Sequence, residues 1–238
     1  MSVQARARAT RAAQRTMAKF LSAAEELFGK HGYEGTTIRA ISRKARVNLG
    51  TLQHYWGSKR ELFRDLLERR FRPLQEEHLR RLREIEARVT DGARPEVLDV
   101  LRTLVEPTFF VSAEGAPRHA RNAADAEDRR RFHLLFGRAL MDPSAEVIAE
   151  MNGIAEESFP LFLRLLRRAC PELSAAELDW RVNCVMGALT FSQVYHERVG
   201  RFYGSEADVD DARAASWILH VFMHGVGARP LPSAGSVR

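Results

Sequence analysis

Apolar positions recur at helical spacing from near the start of the chain. Met17, Phe20, Leu21, Ala24, Leu27 and Phe28 fall at i, i+3/i+4 and i+7, which puts them on one face of a helix. That helix should stop at His31-Gly32, because glycine suits the left-handed cap that ends a helix. Thr36 or Thr37 can cap a second helix that buries Ile38, Ile41 and Ala45. A break at Arg46-Val47-Asn48 precedes a third helix, Leu49 to Trp56, and Gly57-Ser58 interrupts the pattern again. Ser58 with Glu61 three positions on makes a capping box for a fourth helix. That helix carries Leu62, Phe63, Leu66 and Leu67 past Phe71, with Pro73 expected as its kink or end.

Further helical segments are expected near 74–88, 95–113, 120–140, 145–170, 174–199 and 208–227. Asp91-Gly92, Glu114 to Pro117, Asp142-Pro143, Pro171 and Gly200 to Ser205 punctuate them. Ser174 with Glu177 forms a second capping box, and Glu206, Asp208, Asp210 and Asp211 suit the positive end of the last helix dipole. No alternating pattern lasts long enough for a strand. The expectation is an all-α protein of about nine helices, with a disordered tail at 229–238.

Charge divides this chain unevenly. Residues 1–60 hold 12 basic and three acidic side chains, a net of +9, while the remaining 178 hold 25 basic and 28 acidic, a net of −3. A polyanion-binding module followed by a near-neutral body is the simplest account. Arg6, Arg8, Arg11 and Arg15 lie in an N-terminal stretch, 1–15, expected to be a basic disordered arm. No stretch approaches the roughly 18 uncharged apolar residues of a membrane span, and no apolar run follows the basic start. Cys170 and Cys184 make neither a ligand set nor a disulfide framework, so free thiols in a reducing cytoplasm are expected.

The block 36–63, TTIRAISRKARVNLGTLQHYWGSKRELF, has the layout of a helix-turn-helix. Ile38, Ile41, Ala45, Val47 and Leu52 would hold two short helices together. The second would present Asn48, Gly50, Thr51, Gln53, His54 and Tyr55 outward, groups that can bond base edges or phosphates. No nucleophile elbow, phosphate loop or pair of carboxylates in a catalytic setting is visible, so an enzyme is not expected. His220 and His224, at i and i+4, share a helical face but lack a third ligand at metal spacing. Neither a metal nor a cofactor is expected.

The block resembles the recognition core of the TetR/AcrR family of transcriptional regulators. It matches at Thr36, Thr37, Arg39, Ile41, Ala45, Val47, Gly50, Thr51, Leu52, Tyr55, Ser58, Lys59, Leu62 and Phe63, and the preceding AAEELFGKHGYEGTT is similar to the family's first helix and turn. It departs from the family at Ser42, Arg46, Asn48, Gln53 and Trp56, where alanine, glycine, serine, tyrosine and phenylalanine are usual. The resemblance implies a helix-turn-helix domain at 16–63 with its motif at 37–56, and a larger helical ligand-binding and dimerisation domain at 64–228. Thr37, Arg39, Asn48, Gly50, Thr51, Gln53, His54, Tyr55 and Lys59 become the DNA-binding candidates. Of these, Thr37, Tyr55 and Lys59 would grip phosphates, while Gly50, Thr51, Gln53 and His54 would read bases or line the groove floor, with Gln53 open between a base and a phosphate.

The family dimerises through its last two helices, which implies an interface including Leu178, Val182, Val185, Leu189, Trp217, Ile218, Val221 and Phe222. Its effector cavity would involve Phe109, Phe110, Phe132, His133, Phe136, Arg138, Phe159, Phe162, Phe191 and Tyr195. RFHLLFGRALMDPSAEV and CPELSAAELDWRVNCVMGA are similar to a subgroup that controls fatty-acid and acyl-thioester metabolism. Together these imply a homodimeric repressor that leaves a palindromic operator when a small apolar effector binds. An aromatic or cationic drug-like effector is the alternative, and a metal-responsive or architectural DNA-binding protein the more distant one.

Overall fold

The computed structural model describes residues 3–89, 93–110, 123–203 and 211–230. Among them are ten α-helices and no strand: α1 Val3–His31, α2 Ile38–Ala45, α3 Leu49–Trp56, α4 Lys59–Arg88, α5 Val97–Phe110, α6 Ala123–Leu140, α7 Ala145–Ala155, α8 Ser158–Ala169, α9 Ala175–Tyr203 and α10 Asp211–Val226. The all-α expectation holds. No described helix is long and apolar enough to cross a membrane. The last residues of the expected tail, 231–238, lie outside the described ones.

Three stretches differ from the sequence expectation. The segment expected as a disordered arm is helical from Val3, in keeping with a run of alanine, arginine and glutamine that all favour helix. Pro73 neither ends nor divides α4, which continues to Arg88. Proline forfeits its bond to the carbonyl four residues back and crowds that carbonyl, a local cost that the buried stripe Phe71, Leu74, Leu82 and Ile85 on both sides of it offsets. The expected single helix 145–170 divides at residues 156–157 into α7 and α8. Pro160 cannot donate to the carbonyl of Glu156, so the backbone restarts there with proline in the first turn of α8.

The chain forms two compact units, residues 1–71 with 122–153 and residues 72–121 with 154–238. In the first, α1 packs on α2 and α6. Phe20, Phe28, Ile41, Leu52, Leu62, Leu67 and Phe71 are wholly or almost wholly buried, each contributing about 1.5–3 kcal/mol by leaving water. Phe63 meets Phe28 edge-on at 4.8 Å, and Phe71 meets Phe136 of α6 at 5.2 Å. Gly29 lets α1 approach α6 closely, since a Cβ there would stand 3.4 Å from the Leu135 backbone nitrogen. Beside this seam lies a buried ion pair. Glu25 Oε1 is 2.7 Å from Arg70 Nε, although the N–H is not directed along that line, and Arg70 also reaches Asp128. Burial pushes the Glu25 carboxyl above the ordinary range, against the pull of Arg70.

In the second unit α5 packs on α8 and α10, and α10 on α9. Its core joins Leu82 and Ile85 of α4 to Val100, Leu101, Val105, Phe162, Leu165, Leu166, Leu178, Val182, Leu189, Leu219 and Phe222.

Candidate nucleic-acid interface

Two short helices and the turn between them are built from local hydrogen bonds that the sequence supplies residue by residue. Thr36 is buried, its hydroxyl donating toward the carbonyls of Leu27 and Gly32 at 3.0 and 2.8 Å, which ties the end of α1 to the start of α2. Thr37 is the N-cap of α2, its hydroxyl accepting from the Ala40 N–H at 3.2 Å. Ile41, Ser42 and Ala45 are the buried face of α2. Ser42 donates to the Val47 carbonyl at 2.6 Å, so the hydroxyl at this departure from the family pattern fastens the turn.

Arg46 ends α2 in the left-handed conformation, φ 55° and ψ 41°, and its N–H donates to the Arg43 carbonyl at 3.2 Å. Asn48 then caps α3, its Oδ1 accepting the Gly50 N–H at 2.7 Å. One of the free amides that begin a helix, that of Gly50, is thereby satisfied before α3 meets any ligand.

α3 has eight residues and two buried anchors, Leu52 and Trp56. Trp56 packs edge-on against Phe20 of α1 at 5.8 Å. The opposite face is open: Gly50, Gln53 and His54 are exposed, with Thr51 and Tyr55 half-buried at its flank. Gly57, at φ 66°, closes α3 by donating to the Gln53 carbonyl at 2.8 Å. Ser58 accepts the Glu61 N–H at 3.1 Å, as its capping pattern predicts, and α4 starts at Lys59. The Lys59 ammonium donates to the Tyr33 carbonyl at 3.1 Å and stands 4.1 Å from the centre of that ring.

The nine DNA-binding candidates thus fall on one continuous stretch, with distinct local duties. Thr37 and Asn48 are helix caps, Lys59 braces the loop after α1, and Gly50, Gln53 and His54 form the open face. Arg39 is exposed on α2. The sequence reading missed Arg43 and Arg46, which are also exposed and, like Arg39, make no ion pair among the described residues. The signal was present in Arg43, at i+4 from Arg39, and in a further arginine at the break that follows.

The expected effector and dimer residues distribute differently. Phe132, His133, Phe136 and Arg138 belong to the first unit, where His133 and Phe136 are buried and Arg138 is exposed. Phe109 and Phe162 are core residues of the second unit, Phe159 stacks on Phe162 at 6.0 Å, and Phe191 is exposed. Phe110 and Tyr195 lie outside the residues whose side chains are described. The ten therefore do not gather in one unit. Leu178, Val182, Val185, Leu189 and Phe222 are used up inside the second unit's own core, which removes them from any outer face. Ile218 is half-buried, while Trp217 and Val221 are 53% and 65% exposed and Trp180 is 73% exposed.

Comparison with known proteins agrees with this geometry. A family model described as bacterial regulatory proteins, tetR family, matches residues 20–66, and one described as tetracyclin repressor-like, C-terminal domain, matches residues 115–225. No curated protein matches the sequence. Among solved structures, the chain is similar to the hemolysin II transcriptional regulator HlyIIR, at 18% identity over 88% of this chain and 97% of that one, with a TM-score of 0.53. It is also similar to the ketosteroid transcriptional regulator KstR2 of Mycobacterium tuberculosis, at 17% identity over 88% and 93%, with a TM-score of 0.55. A TetR-like transcriptional regulator from Rhodococcus sp. RHA1 aligns at 18% identity over 90% and 97%, with a TM-score of 0.52. Identities this low speak for a shared fold.

Proposed function

The chain belongs to the TetR family of DNA-binding transcriptional regulators, and from that membership we propose a homodimeric repressor that an apolar effector releases from its operator. The observation that carries the DNA-reading part is the open face of α3. Gly50, Gln53 and His54 lie outward on a helix whose other side is anchored by Leu52 and Trp56 and whose ends are capped. A helix held this way enters the major groove as a rigid body, and Gln53 can offer its amide to an adenine edge. One such helix reads a half-site. Two related by a dyad, about 34–36 Å apart, read successive turns of a palindrome.

The effector reading is supported by the composition of the second unit. Its core is aliphatic and aromatic almost throughout, and the buried His78 Nε2 has no hydrogen-bond partner there. A space opened in such an interior would suit a mainly apolar molecule with one donor for the imidazole. KstR2, similar in fold, is named for ketosteroid regulation, which is the same broad class. Release is then a shift of population: an effector that prefers the conformation unfit for DNA weakens operator affinity by its differential binding, about 5–150-fold.

The test is to select a binding sequence from random duplexes, confirm it by fluorescence anisotropy against a scrambled duplex, and repeat with long-chain fatty acids and acyl thioesters. A palindromic selected site and a several-fold loss of affinity with one ligand series are expected. Equal affinity for selected and scrambled DNA would sink the operator reading. Unchanged affinity at saturating ligand would sink the acyl one.

A further inference from the structure

Arg46 occupies a backbone conformation that its side chain opposes. The other described residues at positive φ are Gly32 at 72° and Gly57 at 66°, and only Arg46, at 55°, carries a Cβ there. Left-handed backbone crowds Cβ against the following carbonyl, and only glycine, or sometimes asparagine and aspartate, adopts it routinely. Nothing among the described residues compensates Arg46 for this. Its side chain is exposed and makes no hydrogen bond, ion pair or ring contact, and the bond that closes the turn uses its backbone N–H, which glycine would supply equally.

The surroundings indicate what it waits for. Arg39 and Arg43, at i and i+4, are exposed on α2 away from buried Ile41 and Ala45, and Arg46 follows as the left-handed residue that ends the helix. All three are exposed and have no ion-pair partner among the described residues. Neighbouring cations have one: Lys44 pairs with Glu26 of α1, and Arg60 pairs with Glu150 of α7. The unneutralised charge therefore follows the chain from α2 into the turn from which α3 departs. A row of cations beside a groove-reading helix matches a run of phosphates, whereas base edges are left to α3.

We propose that Arg46 is a phosphate contact to the operator backbone, the last of three exposed arginines along α2 and its following turn, and that it keeps a strained backbone for that contact. The proposal rests on α3 reading DNA as described above.

The experiment uses the full chain and its selected operator, with Arg46→Gly, Arg46→Lys and, as a charge-matched control in the second unit, Arg94→Gln. Affinity is measured by anisotropy from low to physiological salt, and the thermal midpoint by circular dichroism. Each phosphate contact contributes a salt slope of about 0.9, so Arg46→Gly in both subunits should flatten the slope by about two and weaken binding about tenfold or more. Its thermal midpoint should stay level or rise by up to about 3 °C, because the strain is relieved. Arg46→Lys should keep most of the slope. An Arg46→Gly slope no flatter than that of Arg94→Gln would overturn the contact. A midpoint lowered by several degrees would overturn the strain argument, because the side chain would then be holding the fold. If the wild-type chain selects no sequence at all, the operator reading itself has failed, which is a different result.

Discussion

The indole N–H of Trp56 donates to the Asp65 carboxylate at 2.9 Å, joining the last residue of α3 to the second turn of α4. Asp65 is steadied in turn by Arg69 one helical turn on, at 2.8 Å. The orientation of the recognition helix is thus fixed by a side-chain bond as well as by packing. Asp65→Ala leaves an indole N–H in a buried side chain without its acceptor and should cost about 1–3 kcal/mol. Trp56→Phe removes the donor and leaves Asp65 its arginine, so the smaller loss of about 1 kcal/mol is expected. Urea denaturation of the two variants, read by circular dichroism, checks the order.

Asn48 separates capping from electrostatics. Asn48→Ala loses the bond to the Gly50 N–H and should destabilise α3 by about 1 kcal/mol, while Asn48→Ser should be nearly neutral. Asn48→Asp keeps the acceptor and adds a negative charge at a helix N-terminus, so the fold should be as stable as the parent or more so. The same charge faces a polyanion, and operator affinity should fall several-fold. Stability and affinity moving in opposite directions in Asn48→Asp is the outcome to look for; a parallel fall in both would mean that the cap geometry is lost.

Much of the helix-turn-helix was legible in the sequence because its rules are local. The glycine at Gly57, the capping box at Ser58 and Glu61, and the apolar spacing of Ile41, Ala45 and Leu52 each act within a few residues. The division between α7 and α8 was equally local, written in Pro160, but the apolar run on either side hides it. What the sequence did not disclose is which face of a helix the rest of the chain consumes. Leu178, Val182, Val185 and Leu189 form as good an apolar stripe as any interface would, and only tertiary packing shows them turned inward. The expected effector residues carry the same ambiguity, since aromatic spacing alone does not tell a cavity wall from a filled core.

His78 makes stability depend on pH in a definable window. Burial, with the positive charge of Arg81 nearby, lowers its pKa from 6.5 to about 4. In the unfolded chain the imidazole takes up a proton near 6.5, while in the folded state it stays neutral until about 4. The unfolded state therefore binds more protons between these values, and stability falls as pH falls through them, by up to about 3 kcal/mol. Glu77, lowered to about 2 by its bonds to Arg80 and Arg81, loses its contribution only at more acid pH. Denaturation midpoints of the parent and His78→Leu at pH 7 and pH 5 should show a smaller drop in the variant. Equal drops would place the acid sensitivity elsewhere.

The outer face of α9 and α10 gives the dimer a precise test. Trp180, Cys184, Gly187 and Phe191 are exposed at i, i+4, i+7 and i+11 on α9, and Trp217 and Val221 are exposed on α10. Exposed tryptophans opposite a filled core are unusual on a lone subunit, and covering them with a second copy is the proposed remedy. Val221→Glu puts a charge in that interface without disturbing a buried position, so sedimentation should show monomer, and operator affinity should drop to that of a half-site. Gly187 discriminates further. A Cβ there meets nothing within 4 Å in the subunit, and glycine inside a helix costs about 0.5–1 kcal/mol relative to alanine. Gly187→Ala should therefore stabilise a subunit whose face is open to water. If a partner helix packs closely over that glycine, the added methyl must instead weaken the dimer. A dimer loosened by Gly187→Ala, in a chain whose monomer is no less stable, would locate the helix crossing at this residue; a dimer unaffected by both variants would mean that the apolar face is covered by something else.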